Sequence, residues 1–143
     1  MRHGKTVLAL GIMLISSAAH SHVRVRPVES QAGARETYTV SVPTEGSVAT
    51  SSVELEVPAT VSVISVAGPA QTKKAGNRII SIQWTTKISP GESREFVFEA
   101  INPAAGQDIT WKAHQHFDDG SSADWVDAPK TERPASVTKL RSP

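Results

Sequence analysis

Cysteine is absent from the 143 residues of the chain. Disulfides therefore cannot stabilise the fold, and a metal site built from thiolates is excluded. The short motifs of several enzyme classes are absent as well: a glycine-rich phosphate loop, a Gly-x-Ser-x-Gly nucleophile elbow and a His-Glu-x-x-His helix. Nothing in the sequence indicates an enzyme, and we expect a non-enzymatic domain that is held together by its packed core.

The chain also lacks an excess of charge of either sign. It has 15 Lys and Arg against 14 Asp and Glu. Arg2 and Lys5 lie within the first 21 residues, so the remainder carries 13 basic and 14 acidic residues, a formal charge of −1. This balance gives no electrostatic argument for nucleic acid or an anionic membrane surface as a partner.

A long apolar run occurs only near the N-terminus. Residues 1–21 combine a positively charged start, an apolar run at residues 7–15 and the small residues Ala19 and Ser21, which is typical of a secretory signal. The alternative is an uncleaved membrane anchor, but the run is shorter than the roughly 20 residues that a spanning helix needs. We predict cleavage after Ser21, which leaves residues 22–143 as one mature domain without a membrane span, in the periplasm or outside the cell.

Along the rest of the chain, apolar and polar residues alternate with the period of two that is typical of β-strands. No run has the 3.6-residue period of an amphipathic helix. The segments expected as strands are residues 23–26, 36–42, 51–57, 61–66, 78–86, 95–101, 108–117 and 122–126, with 135–140 as an added edge strand. This pattern predicts an all-β fold, an antiparallel immunoglobulin-like β-sandwich.

The connections between these strands are marked by Pro, Gly, Asn and Asp. Residues 27–34 are expected as a connection, and residues 68–77 as a turn followed by a polar loop. Residues 118–121 (Asp-Asp-Gly-Ser) have the composition of a hairpin turn. Trp84 and Trp111 are expected in the core.

His22 is the first candidate functional residue, because it would begin the mature chain. A histidine at a free N-terminus can chelate a metal through its α-amine and its Nδ1, and nitrogen donors in a square plane suit Cu(II). The amine must lose its proton to bind, so the affinity for metal should rise with pH. The alternative is that His22 is a loose terminal residue without a function.

His114 and His116 form a second candidate metal site. They flank Gln115 on a predicted strand, and the period of two places both imidazoles on one face. Two imidazoles do not complete a site, so a third ligand such as Asp118 or Asp124 would be needed. The alternative is that both are solvated residues of an exposed strand face.

Trp125, Glu45 and Glu95 are the remaining candidates. Trp125 lies among acidic residues on the return strand of the predicted hairpin, where its ring either belongs to the core or covers a site. If the first two strands pair in antiparallel fashion, the end of the second brings Glu45 close to His22. Glu95 begins a later strand, and either acid could supply an oxygen ligand or be a solvated surface residue.

The mature chain resembles the YcnI-like family of exported copper-binding domains. The resemblance covers the mature chain almost from end to end, and the order of the motifs is more specific than any one of them. The matching pieces are His22-Val23-x-Val25-x-Pro27, Val42-Pro43-Thr44-Glu45, Ser89-Pro90-Gly91-Glu92-x-x-Glu95-Phe96, Trp111-Lys112-Ala113, Asp119-Gly120-Ser121, Asp124-Trp125-Val126-x-Ala128-Pro129 and Pro134-Ala135-Ser136-Val137-Thr138.

The resemblance implies an immunoglobulin-like β-sandwich that binds Cu(II) through a monohistidine brace, the terminal amine and Nδ1 of one histidine. On this basis His22 carries the brace, Trp125 corresponds to the tryptophan beside the metal, and either Glu45 or Glu95 supplies an oxygen. His114 and His116 stand where a relative has Tyr and Thr, which leaves the number of metal sites open. Some relatives carry a C-terminal membrane helix; here we expect a soluble carrier.

Three functions follow as hypotheses. The first is a copper metallochaperone or copper-homeostasis factor that exchanges Cu(II) with another exported copper carrier or cuproprotein. The second is a copper monooxygenase, which would need a second histidine on the same copper, from His114 or His116. The third is an immunoglobulin-like adhesion or assembly module without a metal.

Overall fold

A computed structural model describes residues 22–143. The predicted signal peptide, residues 1–21, lies outside the described residues. Within residues 22–143 the regular elements are strands: β1 (Arg24–Arg26), β2 (Glu29–Gln31), β3 (Arg35–Pro43), β4 (Thr50–Glu56), β5 (Ser62–Val66), β6 (Ala70–Ala75), β7 (Arg78–Ile88), β8 (Ser93–Ile101), β9 (Ile109–Trp111), β10 (Ala113–Phe117), β11 (Ser122–Trp125) and β12 (Ser136–Arg141).

The strands form two large sheets and one small sheet. The four-stranded sheet has the order β1-β3-β8-β5, and the five-stranded sheet has the order β11-β10-β4-β7-β6. The small sheet has the order β2-β12-β9. All strand pairs are antiparallel except β2 with β12, which run parallel. The all-β prediction is thus confirmed, with one parallel pair added.

The core lies between the inner faces of the two large sheets. Val40 and Phe98 come from the four-stranded sheet, and Leu55 and Trp84 come from the five-stranded sheet. All four side chains are buried, because the strand period of two turns every second residue inward. Trp84 and Trp111 are core residues, as predicted.

Two predicted connections contain strands instead. The polar stretch 68–77 includes β6, which pairs with β7 at the edge of its sheet. Its side chains lie mostly exposed on both faces, so its sequence has no apolar alternation from which a strand could be predicted. The connection at 27–34 includes β2, whose three residues pair with β12 far along the chain. Strand β6 forms a hairpin with the next strand but lacks an apolar face, and β2 depends on a partner far along the chain, so neither strand could be predicted from apolar alternation.

The C-terminal half differs from the prediction in two further places. The expected strand 108–117 is divided at Lys112 into β9 and β10, because β9 pairs with β12 whereas β10 pairs with β4 in another sheet. The expected edge strand at 135–140 corresponds to β12, which is the central strand of the small sheet. A single alternating run thus passes from one sheet to the next.

Two features of this fold position the candidate site. Strand β1 pairs with β3 so that Arg24 lies opposite Ser41, which puts the start of β1 beside the end of β3. The hairpin of β10 and β11 turns at residues 118–121, as predicted, with Gly120 at a φ of 85° and Ala113 opposite Trp125. His22 and Trp125 therefore lie at the ends of strands from different sheets. Among the described residues, no helix has the length and apolar character needed to span a bilayer.

Candidate metal centre

His22 lies just before β1 and is half-buried. Its imidazole contacts the indole of Trp125, with 5.5 Å between ring centroids and 55° between ring planes. Among residues 22–143, this ring contact is the one interaction that the His22 side chain makes, and neither of its ring nitrogens forms a hydrogen bond. His22 is therefore packed against the domain with its nitrogen atoms available to a ligand.

Trp125 ends β11 and is buried, with 7% of its surface exposed. Its Nε1–H donates a hydrogen bond to Oε1 of Gln115, at 3.1 Å. The core possibility raised by the sequence is confirmed, because the ring belongs to the core cluster, and the ring also contacts His22. That it covers a metal site stays a prediction.

Gln115 was not singled out from the sequence, although it joins the parts of this site. It is buried, and its Nε2 donates to the carbonyl of Pro43 at 2.9 Å and to the hydroxyl of Thr50 at 2.7 Å. The signal was present in the strand period: His114 and His116 face outward, so Gln115 must face inward. A buried amide needs polar partners, and those of Gln115 include Trp125 and the end of β3, which flank the candidate site.

Glu45 and Glu95 occupy different places. Glu45 is exposed in the turn after β3 and lines a cleft of about 340 Å³ together with Trp125, Gln115 and Arg133. Glu95 is exposed on the outer face of β8, opposite Ser41 of β3. The structure thus places Glu45 beside the tryptophan, and Glu95 on the outside of the four-stranded sheet.

His114 forms ion pairs with two carboxylates. Its Nδ1 lies 2.7 Å from Oδ1 of Asp124, and its Nε2 lies 2.9 Å from Oε2 of Glu56. Burial opposes the charged imidazolium, but the hydrogen bonds to Asp124 and Glu56 outweigh burial, and the pKa of His114 is raised. Both nitrogens can donate at once only in the protonated form, so this contact is a charged bridge across β11, β10 and β4.

The second candidate metal site stays a prediction. His116 is exposed and faces the same side of the sheet as His114, as the period of two predicts. Within the part of the chain that the structure describes, no group of three or more His, Cys, Asp or Glu side chains has a geometry that could hold a metal ion. A brace of one imidazole and one amine is not a group of this kind, because its second nitrogen is not a side-chain atom.

The donor types at His22 and Glu45, an imidazole and a carboxylate, each suit a borderline metal such as copper, and the two side chains line neighbouring surfaces in separate clefts that Trp125 links by its contact with His22 and its place beside Glu45. One imidazole is a suitable ligand for Cu(II), and a carboxylate oxygen can complete a mixed nitrogen and oxygen set. His22 also lines a second cleft, of about 590 Å³, whose rim includes Arg24, Lys130 and Lys139. The side chain is thus reachable from an open surface while its ring rests on Trp125.

Comparison with known proteins gives two sequence matches. The family model described as "Domain of unknown function (DUF1775)" matches residues 65–140. Copper-binding protein CutI of Bacillus subtilis (strain 168) is 32% identical over 138 residues, which are 92% of this chain and 68% of that protein.

Solved structures share the fold. An uncharacterized protein from Nocardia farcinica, described as having an immunoglobulin-like fold, has a TM-score of 0.74 at 23% identity, over 85% of this chain and 99% of that one. A non-cellulosomal cohesin from the hyperthermophilic archaeon Archaeoglobus fulgidus has a TM-score of 0.52 at 15% identity, over 85% and 91% of the two chains. The predicted immunoglobulin-like β-sandwich is confirmed. Together with the CutI match, the family model shows that the chain belongs to the DUF1775 family, the YcnI-like family whose motifs its sequence resembles.

Proposed function

We propose that this protein is an exported carrier of Cu(II) that holds the ion at the N-terminus of its mature chain. In this proposal cleavage after Ser21 gives His22 a free α-amine, and the amine and Nδ1 of His22 form the brace. The carrier would act in the periplasm or outside the cell, as a metallochaperone or copper-homeostasis factor.

The contact between His22 and Trp125 is the observation that carries the proposal. A terminal histidine without a function has no reason to be half-buried against an indole that is itself hydrogen-bonded to the core. Packing of this kind reduces the conformational freedom that the chelating residue would lose on binding. The similarity to a protein named copper-binding protein CutI supports copper as the metal.

The donor set explains how the ion could be taken up and released. Two nitrogens of one residue fix the ion in a chelate ring, and Glu45 is the acid placed beside Trp125. The remaining positions stay open to water or to a ligand from another protein, so transfer can proceed by ligand exchange. The cleft beside His22 leaves access for such a partner, which we expect to be another exported copper carrier or cuproprotein.

We propose a carrier rather than an oxidising enzyme. A monooxygenase of the histidine-brace type would need a second imidazole on the same copper. His114 uses both ring nitrogens in ion pairs on the outer face of its sheet, which does not favour it as that ligand.

Copper titration of two chains that differ only at the α-amine tests the brace. Both chains begin at His22, and in one of them the α-amine is acetylated, so that its nitrogen becomes an amide nitrogen. We expect stoichiometric heat of binding with Cu(II) at neutral pH for the chain with the free amine, and a loss of about 100-fold or more in affinity for the acetylated chain, because losing a ligand should cost at least as much as losing a supporting partner of a ligand.

The matched control is His116→Ala in the chain that begins at His22, because His116 is exposed on a strand face away from Trp125. This variant should keep the tight binding of the brace, and any weaker binding that it loses would belong to the second candidate metal site. Equal affinity in the chains with a free and an acetylated α-amine would contradict the brace, and mass spectrometry of the secreted protein would show whether residue 22 is its first residue.

A further inference from the structure

We infer that Gln115 is a positioning residue, which fixes the indole of Trp125 in the orientation that holds His22 for copper. This inference deepens the proposed function and rests on it for the role of copper. The positioning itself is a property of the metal-free protein, so it can be tested separately.

Gln115 has three hydrogen bonds in a buried setting. Its Oε1 accepts from Nε1–H of Trp125, and its Nε2 donates to the carbonyl of Pro43 and the hydroxyl of Thr50. These bonds use the acceptor and both donors of the amide, so the amide plane has one satisfied orientation. The position of the Nε1–H of Trp125 is therefore set by a group that cannot rotate without losing partners.

The network joins the two sides of the candidate metal centre. Gln115 and Trp125 belong to the five-stranded sheet, whereas Pro43 ends β3 of the four-stranded sheet. Since β1 lies beside β3, Pro43 flanks the backbone that leads to His22. The side chain of Gln115 is thus hydrogen-bonded both to the ring of Trp125, which contacts His22, and to Pro43 at the end of β3, the strand beside β1.

Folding alone does not demand this bond. Among the described residues, Nε1 of Trp84 is buried without a hydrogen-bond partner, so the domain tolerates one buried indole N–H that is not satisfied. An apolar side chain of similar length would avoid the free energy that the buried amide costs to desolvate, but it would leave the N–H of Trp125 and the carbonyl of Pro43 without this partner. Gln115 therefore has a role beyond filling the core, and the one indole that contacts His22 is its partner.

Gln115→Met tests the inference, because it keeps the length of the side chain and removes the amide. In the chain that begins at His22, we expect Cu(II) to pass to a competing chelator about twofold to tenfold faster, the range that one neutral hydrogen bond contributes. The Cu(II) electron paramagnetic resonance spectrum should broaden or shift. In the metal-free variant, the nuclear Overhauser contact between the rings of His22 and Trp125 should weaken.

Thr138→Val is the matched control. Thr138 is buried, and its hydroxyl accepts the Nε1–H of Trp111 at 3.0 Å and donates to the carbonyl of Pro27 at 2.8 Å, so the variant removes the acceptor of a tryptophan N–H together with a second buried bond, as Gln115→Met also does. We expect it to lower the unfolding temperature without changing the copper spectrum, the transfer rate or the ring contact of His22. If both variants change the spectrum equally, Gln115 acts through general stability and the inference is wrong.

Trp125→Phe removes the same hydrogen bond from the other side. If Gln115 acts through Trp125, adding Gln115→Met to Trp125→Phe should speed copper transfer no further, whereas independent effects would add. Should Gln115→Met fail to fold, the indole N–H of Trp125 in the parent protein decides the matter. Slow hydrogen exchange at this N–H supports the bond, and exchange as fast as in a solvated indole overturns it.

The proposed function and this inference can fail separately. If the parent chain binds no Cu(II), the copper role fails. The effect of Gln115→Met on the ring contact between His22 and Trp125 would still show whether Gln115 positions the indole.

Discussion

At the scale of single residues, the site consists of a few side chains with different degrees of restraint. His22 contacts Trp125, and Trp125 is hydrogen-bonded to Gln115 inside the domain. Glu45 is exposed and lines the cleft that Gln115 and Trp125 also line, whereas His22 lines a separate cleft. The restraint thus decreases from the core outward, which would suit the proposed copper carrier, since such a carrier has to hold an ion and also release it.

Glu45 and Glu95 can be separated by a pair of matched substitutions. We expect Glu45→Gln to weaken Cu(II) binding about tenfold, the lower end of what supporting partners of metal ligands contribute. Glu95→Gln should leave the affinity unchanged, because Glu95 lies on the outer face of β8. Isothermal titration of both variants, each beginning at His22, measures the difference. The opposite ranking would move the oxygen ligand to Glu95.

A residue of the candidate site could be predicted only where neighbouring residues in the sequence mark it. His22 follows the expected cleavage position, and Trp125 has an unusual acidic setting, so both could be singled out from the sequence. The sequence left Glu45 and Glu95 open as alternatives, and the cleft that Glu45 shares with Trp125 favours Glu45. The strand period indicated that Gln115 faces inward, but its partners come from β3, β4 and β11, a combination that no single stretch of sequence contains, so its contacts could not be predicted.

At the scale of elements, the strand that carries Trp125 lies at the edge of its sheet. Strand β11 pairs with β10 on one side only. The ion pairs of His114 with Asp124 of β11 and Glu56 of β4 hold this edge strand from its outer face. Glu54 faces His114 from the neighbouring strand and is itself 3.9 Å from Lys73. These ion pairs on the outer face therefore restrain β11 in addition to the packing of its inner face.

The bridge at His114 should make stability depend on pH in one direction. The pKa of His114 is raised in the folded state. The bridge therefore contributes fully to the free energy of unfolding below the pKa of the unfolded chain, near 6.5, and this contribution is lost as the pH rises through the higher pKa of the folded state. His114→Gln should therefore destabilise the domain more at pH 5 than at pH 9. We expect a difference below about 1 kcal/mol, because these carboxylates are partly exposed and screened by solvent.

Urea unfolding of the parent, His114→Gln and His116→Gln across this pH range measures the effect. His116 is exposed on the same face and serves as the control, so its variant should follow the parent at every pH. A difference between parent and His114→Gln that grows with rising pH would show the opposite linkage and contradict the bridge.

Strands with one buried face could be predicted from the sequence, and strands with no such face could not. Val40, Val42 and Leu55 have the alternation of half-buried strands, and they lie in β3 and β4. Strand β6 has exposed side chains on both faces, so its sequence reads as a loop although its backbone pairs with β7 throughout. The period of two indicates which side chains are buried, so it does not predict a strand that is held by backbone hydrogen bonds alone.

At the scale of the whole molecule, the β-sandwich could be predicted, but the pairing of β2 with β12 could not. The number and spacing of apolar runs indicated two packed sheets without a disulfide. The parallel pairing of β2 with β12 joins positions more than 100 residues apart, and neither strand has a local pattern that specifies its partner. This pairing ties the segment after β1 to the last strand, so both ends of the domain are anchored close to the candidate site.

Binding at the first residue of such a domain should stabilise the whole fold. A ligand that binds only the folded state raises the free energy of unfolding by about 2.7 kcal/mol when its free concentration is 100 times its dissociation constant. For a domain of this size that shift corresponds to about 10 °C in the unfolding temperature. The unfolded chain keeps both nitrogens of the brace, so we expect a smaller rise with Cu(II), set by the extra affinity that Trp125 and Glu45 give the folded site, for the chain that begins at His22, and little change for the acetylated chain.

The rise should also grow with pH, because the α-amine must lose a proton whose reference pKa is near 7.7–8.0. Differential scanning calorimetry at pH 6 and pH 8, with equal free Cu(II), separates this linkage from the bridge at His114, whose contribution falls as the pH rises. A copper-induced shift that is the same at both pH values, or the same in chains with a free and an acetylated α-amine, would place the ion on side chains elsewhere. A shift confined to the chain with the free amine and larger at pH 8 requires the terminal amine as a ligand, since no other group in the two chains differs.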